Sequence, residues 1–329
     1  MDPELVRGMQ DLALAQRTLL GPRAQWHVGD IAWNLRPHQK REHEWRFRVW
    51  AQNGRLIGWS WLQSEGGRLE YDVHRRHTQL LDEILDESAA SSAFVLEDDA
   101  ELRAALERHG FVEPGEAMHY LVRDLSAGPE HAPLPPGFRC RGVEDADVAE
   151  RVAIHRDVWA PSALTEPSYA AMRESWPYRP SLDCVVEAPD GRFVAYALLW
   201  PDDEHGVGEL EPVGVREQFR RRGLGAAVCS EAMRRWHRAG GRQVIVYCAT
   251  EPACALYESM GFRRHVTLRE FSRQAAYRRA RSCARITLIT CSTRARTDGG
   301  TCGPIPTRLT ASLPRLSVMS WPETSRCWR

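Results

Sequence analysis

Residues 209–228 read ELEPVGVREQFRRRGLGAAV, and this stretch decides the fold. Its first part predicts a β-strand that ends at Val215, and a short polar loop follows the strand. Gly223 and Gly225 lie where the next helix opens, and their missing side chains allow a ligand to approach the main chain. Amides in the first turn of a helix lack partners and carry positive partial charge. The stretch therefore predicts a site for a phosphate group.

The loop also carries three consecutive arginines, Arg220, Arg221 and Arg222, which strengthen this positive field. Two familiar glycine motifs do not fit the loop. A Walker loop requires GxxxxGK[ST], and no lysine follows these glycines. A dinucleotide fingerprint requires GxGxxG, and Val228 stands at its last position. Neither of these nucleotide-binding motifs is present.

The chain beyond the loop continues as an α/β unit. It predicts a helix over about 224–239, a strand over 243–248, and a second helix over 252–262, PACALYESMGF, that stops at a Gly-Phe pair. A strand, a helix and a further strand require a parallel crossover. Residues 183–188 and 193–200 are predicted as adjacent antiparallel strands. We therefore expect an α/β fold with a mixed sheet and helices on its faces.

The same order of signals occurs earlier in the chain. Asn53-Gly54 and Asp190-Gly191 are both typical hairpin turns between strands, and residues 101–111, ELRAALERHGF, again predict a helix that stops at Gly-Phe. A stretch with four prolines separates the two copies and predicts a linker. The expected organisation is a first domain over 1–125, the linker over 126–137, a second domain over 138–272 and a tail over 273–329.

Composition excludes several classes of protein. The 329 residues are 43% hydrophobic and 27% charged, as in globular proteins. No run of 18 apolar residues occurs and the start lacks a signal peptide, so we expect a cytoplasmic protein that does not contact membranes. The nine cysteines are irregularly spaced, so neither a disulfide framework nor a zinc site is expected. The cysteines expected to be small buried residues are Cys140, Cys184, Cys229, Cys248 and Cys254.

The tail after residue 272 differs from the rest of the chain. It contains eleven arginines against Asp298 and Glu323, together with four prolines, and it has no helical or strand periodicity. We therefore expect it to be mostly disordered. Its arginines are scattered and no aromatic stacking platform lies among them, so nucleic-acid binding is not expected.

The pattern ArgxxGlyxGly between a strand and a long helix resembles the acyl-CoA pyrophosphate loop of the GCN5-related N-acetyltransferase (GNAT) superfamily. The resemblance continues at Gly240-Gly241 and in residues 253–262, and it covers about 138–272. It implies that acetyl-CoA is the acyl donor. It also implies that the strand ending at Val215 splays from the strand 243–248, with pantetheine in the gap. The implied cofactor-binding residues are Val213, Gly214, Val215, Arg220, Arg221, Arg222, Gly223, Leu224, Gly225, Ala226 and Thr250.

Acetyl transfer to an amine requires a base, because only the neutral amine attacks the thioester, and an acid assists the leaving thiolate. Strand alternation places Glu209 and Glu211 on one face, together with Val213 and Val215. Glu209 stands where many relatives carry the catalytic carboxylate, but alternation leaves Glu211 open as the base. Tyr257 matches the family tyrosine that acts as the acid. Thr250 replaces an asparagine of many relatives and offers a hydroxyl in place of an amide.

The first copy lacks the corresponding residues. A count from the strand that ends at Val73 aligns Thr78 with Arg220. The same count aligns Leu81 with Gly223 and Glu83 with Gly225. Leu106 stands at the position of Tyr257. A carboxylate in front of a phosphate repels it. We therefore expect a degenerate copy that kept the fold and lost the acyl-CoA site.

The resemblance implies an N-acetyltransferase that uses direct attack in a ternary complex, without a metal, on an amine-bearing small molecule or peptide. The tandem duplication and the glycine loop also resemble those of mycothiol synthase, an enzyme that acetylates a cysteinyl sugar. A non-catalytic acyl-CoA sensor is the alternative from another class, in which Glu209 and Tyr257 serve structure alone. In relatives the acceptor pocket is commonly shaped by the segment that here contains His155, Trp159, Tyr169, Trp176 and Tyr178.

Overall fold

The computed structural model describes residues 2–35, 45–64, 66–87, 89–274 and 317–319. The α-helices within these residues are α1 (Pro3–Leu20), α2 (Val28–Asn34), α3 (Leu80–Glu87), α4 (Ala100–Arg108), α5 (Val148–Val158), α6 (Glu166–Arg173), α7 (Leu224–Arg238) and α8 (Glu251–Ser259). The strands are β1 (Arg46–Gln52), β2 (Arg55–Leu62), β3 (Arg68–Val73), β4 (Ser92–Leu96), β5 (Phe111–Asp124), β6 (Arg139–Gly142), β7 (Asp183–Glu187), β8 (Phe193–Asp202), β9 (Val207–Val215), β10 (Gln243–Cys248), β11 (Arg263–Arg273) and β12 (Ser317–Met319).

All the described strands belong to one mixed sheet. Its order is β12, β1, β2, β3, β4, β11, β5, β10, β9, β8, β7 and β6. Each copy contributes one parallel pair, β3 with β4 and β9 with β10, and the other neighbours are antiparallel. The predicted α/β architecture with a mixed sheet and two tandem copies is confirmed.

The two copies exchange their last strands. β5, which ends the first copy, pairs with β10 of the second copy along the whole length of β10. β11, which ends the second copy, lies between β4 and β5. Neither half of the sheet is therefore complete without a strand from the other copy, although residues 125–138 between the copies contain no helix or strand.

The parallel ladder of the second copy is short. It runs from Gln243 opposite Val207 to Ile245 opposite Glu209, and beyond that pair β9 and β10 are no longer partners. Since an unpaired strand leaves main-chain groups open to another partner, the two strands leave a gap whose walls are the ends of β9 and β10. The gap is the position at which the resemblance implies pantetheine.

Helix α2 of the first copy is buried against the second copy. Ala32 and Trp33 pack in one cluster with Leu198 and Trp200 of β8. Gly29 lies directly on the indole of Trp200, because a Cβ at Gly29 would meet the Trp200 Cβ at 2.3 Å. This close approach brings the start of α2 to the edge of β9.

The first copy fills its own glycine-loop region with apolar side chains. Leu81 and Leu106 are both fully buried in one core cluster with Ile84 and Phe111. The Glu83 carboxylate accepts a hydrogen bond from the Trp50 indole at 2.9 Å. These contacts confirm a degenerate first copy, because the positions that would face a phosphate are occupied by packing and by a carboxylate.

One expectation about the cysteines is wrong. Cys248 at the end of β10 and Cys254 in α8 form a disulfide, so they are not independent buried thiols. The two positions are six residues apart across the turn from strand to helix. Cys184 and Cys229 are buried free thiols as expected, and Cys140 is half-buried.

Most of the tail lies outside the described residues. The prediction that the tail is disordered falls on those residues and stays a prediction. Its residues 317–319 form β12, which pairs antiparallel with β1 at the edge of the sheet. None of the helices in the described ranges is long and apolar enough to cross a lipid bilayer.

We predict that Gly29→Ala destabilises the protein by about 1–3 kcal/mol, because overpacking forces α2 away from Trp200. Urea unfolding measures the change. Gly58→Ala is the matched control, since its Cβ would make only ordinary contacts at 3.5 Å or more. Equal stability of the two variants would contradict the tight seating of α2 on β8.

Candidate functional site

The glycine loop opens α7 in the way that the sequence predicts. Gly223 is the residue before the first helical turn and has a φ of 76°, a left-handed conformation that favours glycine. No side chain of the described residues caps this helix, and the first helical bond runs from the Ala227 amide to the Gly223 carbonyl. The amides of residues 223–226 are therefore available to an anion.

The two glycines differ in their role. A Cβ at Gly223 would meet nothing within 4 Å, so this position faces open space. A Cβ at Gly225 would instead lie 3.3 Å from Leu256 and 3.4 Å from Val215, and Gly225 is buried. Gly225 thus allows α7 to pack closely on β9 and α8, which corrects the expectation that both glycines serve ligand approach.

The three arginines of the loop are exposed. Arg220 directs its Nε at the Val215 carbonyl at 3.4 Å, and the Arg222 guanidinium lies 5.2 Å from the centre of the Phe219 ring. Within the described part of the chain, none of the three forms an ion pair. Their charges are therefore available to a ligand in front of α7, which is the arrangement that the sequence predicts.

A β-bulge changes the faces of β9. Ala197 of β8 pairs with Val213, but Leu199 pairs with Leu210, so Glu211 and Pro212 together oppose one residue of β8. The Trp200 indole donates to the Glu211 carbonyl at 2.7 Å and holds the bulge.

The bulge overturns one prediction about β9. Leu210, Val213 and Val215 all pack in the core cluster under α7. Gly214 lies on the opposite face against Tyr196. Val213 and Val215 therefore do not share the face of Glu209, because the extra residue in the strand shifts the alternation by one.

Glu209 is the most deeply placed candidate. It is 1% exposed and lies beside two residues of the first copy, His27 and Asp30 at the start of α2. One oxygen from each of Asp30, Glu209 and Glu211 lies within 4.8 Å of the other two. Glu211 is half-buried and forms the most exposed edge of this carboxyl cluster. The two copies thus build one site.

The carboxyl cluster favours the protonated state. Burial raises the pKa of Asp30, Glu209 and Glu211 well above their usual values, and repulsion between neighbouring carboxylates adds to the effect. Like charges at this separation do not all persist in a buried place. The pKa shifts therefore favour the protonated over the ionised forms of these carboxyl groups.

The geometry at His27 indicates where one proton lies. The His27 Nδ1 accepts a hydrogen bond from the Gly29 amide at 3.0 Å, which leaves the ring proton on Nε2, 3.3 Å from the Val207 carbonyl. Burial lowers the pKa of His27 to about 3, so the ring is neutral. The Glu209 Oε2 lies 3.2 Å from the same Nδ1. That oxygen has no hydrogen-bond partner among the described residues.

Tyr257 in α8 is buried and packs against Phe262 with ring centres 5.6 Å apart. Burial raises the pKa of its hydroxyl, so Tyr257 is a proton donor and not a phenolate. That hydroxyl has no hydrogen-bond partner among the described residues. Thr250 is exposed at the start of α8, and its hydroxyl does not cap the helix.

The aromatic residues of the expected acceptor region divide into two groups. Tyr169 is fully buried and donates its hydroxyl to Asp183 at 2.6 Å, so it belongs to the core. The His155 Nδ1 lies 2.9 Å from the Tyr196 hydroxyl beneath the site. Trp159 and Trp176 are 52% and 42% exposed and are the aromatics available to an acceptor.

Sequence reasoning missed His27 and Asp30. Their spacing is typical of a helix start. The two residues form a capping box, in which the side chain of each accepts a hydrogen bond from a main-chain amide at the start of α2. That signal predicts the start of α2 but not its partner, because Glu209 is far away in the sequence. Pro212 is a signal for the bulge, since proline in a central strand is confined to bulges.

The carboxyl cluster is also the one group of acidic, histidine and cysteine residues in the described ranges whose ligand atoms are close enough to share a cation. Exposed acidic groups are common without a metal, whereas this cluster is largely buried. That the protein requires no metal stays a prediction.

Comparison with known proteins agrees with this geometry. Residues 150–262 match the model of the Acetyltransferase (GNAT) family. A mycothiol acetyltransferase of Saccharomonospora viridis is 28% identical over 240 residues, which cover 63% of this chain and 76% of that protein.

Two solved structures share the fold. A GCN5-related N-acetyltransferase from Sphaerobacter thermophilus has a TM-score of 0.57 at 18% identity and covers 82% of this chain and 93% of its own. A tandem GNAT protein from the clavulanic acid biosynthesis pathway has a TM-score of 0.56 at 16% identity, with 82% and 94% covered.

We predict that Glu211→Gln becomes more stable relative to the wild type as pH rises. Folding raises the pKa of this carboxyl, so it stabilises the protein at a pH below its pKa in the unfolded chain, near 4.5. The contribution is lost as the pH rises through its pKa in the folded protein. The difference grows by about 1.4 kcal/mol per pH unit over that window. Urea unfolding at a series of pH values measures it.

Glu187→Gln is the control with the opposite sign. Hydrogen bonds from Arg141 and Arg139 lower the pKa of Glu187, so its contribution is present above the unfolded value and is lost as pH falls. A pH-independent difference for Glu211→Gln would show that Glu211 is not held protonated.

Proposed function

We propose that the second domain, residues 138–272, transfers an acetyl group from acetyl-CoA to an amine by direct attack in a ternary complex, because residues 150–262 match the GNAT acetyltransferase family and the chain is similar to a mycothiol acetyltransferase. The observation that carries the proposal is the convergence of three features. They are the open amides of α7, the gap where the β9–β10 ladder ends with Glu209 at its last pair, and the buried Tyr257 of α8, the helix that follows β10.

The fit to acetyl-CoA rests on charge and main chain. The diphosphate would lie against the amides of residues 223–226, with the guanidinium groups of Arg220, Arg221 and Arg222 around it. The main chain of Val213, Gly214 and Val215, beyond the last pair with β10, would bind the pantetheine amides. Leu224 and Ala226 contribute through the first turn of α7, and the exposed Thr250 hydroxyl lies at the start of α8 across the gap.

Glu209 is proposed as the base that takes a proton from the acceptor amine, and its raised pKa suits that role, because a base is most effective near the operating pH. The amine nitrogen bonds to the thioester carbon, and the carbon–sulfur bond breaks. Tyr257 gives its proton to the departing thiolate. The proton on Glu209 then returns to Tyr257 through solvent, so the residues are unchanged after one turnover. Glu211, nearer the surface, is the alternative base.

A narrower acceptor is also supported. The similarity to a mycothiol acetyltransferase extends over most of that protein, so acetylation of a cysteinyl sugar amine is a second candidate. Its amine would reach the cluster from the side of Glu211, the most exposed of the three carboxyl groups. Turnover of a cysteinyl glucosamine alongside simple amines and peptide N-termini distinguishes the two.

We predict that Gly223→Glu weakens coenzyme A binding by at least about 100-fold, or about 2.7 kcal/mol, because a carboxylate would face the diphosphate. Isothermal titration calorimetry with coenzyme A measures the affinity. Gly54→Glu is the matched control, since Gly54 has the same φ of 76° and equally open surroundings but lies in a hairpin of the first copy. Undiminished binding by Gly223→Glu would place the diphosphate elsewhere.

We predict that Glu209→Gln and Tyr257→Phe each lower kcat by about 100-fold or more while the affinity for coenzyme A is kept, because each removes a proton-transfer group. Steady-state release of free thiol measures kcat. Tyr71→Phe is the control, because its hydroxyl is also buried without a partner but lies in the first copy. Full activity of both site variants would contradict these roles, whereas no turnover by the wild type with a broad panel of amines would favour the non-catalytic sensor.

A further inference from the structure

The disulfide between Cys248 and Cys254 lies at the gap between β9 and β10. Cys248 is the last residue of β10 and follows Ile245, where the pairing with β9 ends. Cys254 lies in α8, and the Cα atoms of the two cysteines are 5.8 Å apart, within the usual range for a disulfide. The bond therefore joins one wall of the gap to the helix that carries Tyr257.

The corresponding helix of the first copy is held in another way. α4 and α8 both have nine residues, and each ends shortly before a left-handed glycine, Gly110 or Gly261. When the two copies are aligned on these glycines, Asp99 corresponds to Thr250. The Asp99 side chain caps α4 by accepting from the Leu102 amide at 3.1 Å, whereas the Thr250 hydroxyl does not cap α8. The start of α8 therefore lacks the hydrogen bond that fixes the start of α4.

The same alignment places Glu97 and Arg103 at the positions of Cys248 and Cys254. In the first copy, the Arg103 guanidinium donates to the Glu97 carbonyl at 3.1 Å, and this hydrogen bond links the end of the strand to the helix. In the second copy, the disulfide links the same two places. A disulfide is opened by exchange with a thiol, whereas a hydrogen bond between a guanidinium and a carbonyl does not respond to thiols. The intact copy thus has a redox-sensitive link where the degenerate copy has an inert one.

The surroundings of the disulfide also accommodate two thiols. The Cys254 Sγ lies 3.9 Å from the Cys248 carbonyl, so a thiol at Cys254 has a hydrogen-bond acceptor. Cys248, Cys254 and Tyr257 all belong to the core cluster under α7. Cys254 and Tyr257 are one helical turn apart and lie on the same side of α8. A shift of α8 at Cys254 therefore also moves Tyr257.

We propose that the Cys248–Cys254 disulfide is a redox switch of acetyl transfer. The oxidised pair holds the start of α8 against the end of β10 and keeps Tyr257 in position. Reduction of the pair releases the start of α8, displaces Tyr257 and lowers the rate of transfer. This switch rests on the proposed function of Tyr257 and adds regulation to the same site.

The reductant of the switch is a dithiol. One of its thiolates attacks the Cys248 Sγ, because Cys248 is 4% exposed whereas Cys254 is fully buried. The bond between the two cysteine sulfurs breaks, and Cys254 leaves as a thiolate that takes up a proton. The second thiolate of the reductant then attacks the mixed disulfide, which releases Cys248 as a thiol and leaves the reductant as a cyclic disulfide. Two electrons and two protons thus pass from the dithiol to the cysteine pair.

The first experiment equilibrates the protein with mixtures of reduced and oxidised dithiothreitol. Alkylation followed by mass spectrometry measures the oxidised fraction of the pair, and the loss of the thioester absorbance measures kcat in the same samples. Reduction is expected to lower kcat about tenfold, because a small displacement of a catalytic group costs a large part of its effect. Cys254→Ser is expected to have the lowered kcat at every redox ratio. An unchanged kcat in wild-type protein whose pair is fully reduced would overturn the inference.

Two further variants separate the switch from a general effect on the fold. Cys184→Ser is the matched control, because the Cys184 Sγ lies in the same core cluster, 4.0 Å from the Ser181 carbonyl, but is a free thiol. This variant is expected to keep the full redox response. Tyr257→Phe is expected to lose the response, since the acid that the switch positions is missing. A redox response of the same size in Tyr257→Phe as in the wild type would overturn the inference.

Amide hydrogen exchange needs no turnover. Reduction is expected to speed the exchange of the α8 amides about tenfold, because the start of the helix opens more often, while α4 with its Asp99 cap is unaffected. Exchange in α8 that does not depend on the redox state would overturn the inference. Faster exchange in α8 of a reduced protein that turns over no amine in either state would sustain the redox control of α8 and contradict the proposed function instead.

Discussion

The end of the parallel ladder between β9 and β10 is the constraint on which the rest of the site depends. Because pairing stops at Ile245 and Glu209, the last residues of β9 keep main-chain groups that β10 does not use. The bulge at Glu211–Pro212 follows directly and turns Val213 and Val215 into the core under α7. Glu209 is left on the other face, where the start of α2 from the first copy covers it.

That cover explains why the chain keeps a copy without a binding loop of its own. Helix α2 lies on Trp200 through Gly29, and the same indole holds the carbonyl of the bulge. Burying Asp30, Glu209 and Glu211 together is unfavourable for charged carboxylates, so the interface raises the pKa of each of them. The exchange of β5 and β11 ties the two copies into one sheet, which fixes α2 relative to β9.

The sequence predicts features that depend on local chemistry. The glycines where α7 opens, the open first turn of α7 and the strand–helix–strand order follow from residues close together in the chain. The faces of β9 could not be predicted by alternation, although Pro212 marks the place where alternation fails. The neighbours of Glu209 could not be predicted either, because His27 and Asp30 approach it only through the packing of α2 on β8. The Cys248–Cys254 disulfide depends on how closely α8 follows β10.

A crystal structure of the protein with coenzyme A bound tests the account most directly. The account predicts the diphosphate against the amides of residues 223–226, the pantetheine between the ends of β9 and β10, and the thiol between Glu209 and Tyr257. A coenzyme seated elsewhere, for example in the groove lined by Gln243, Arg263 and His265, would contradict it.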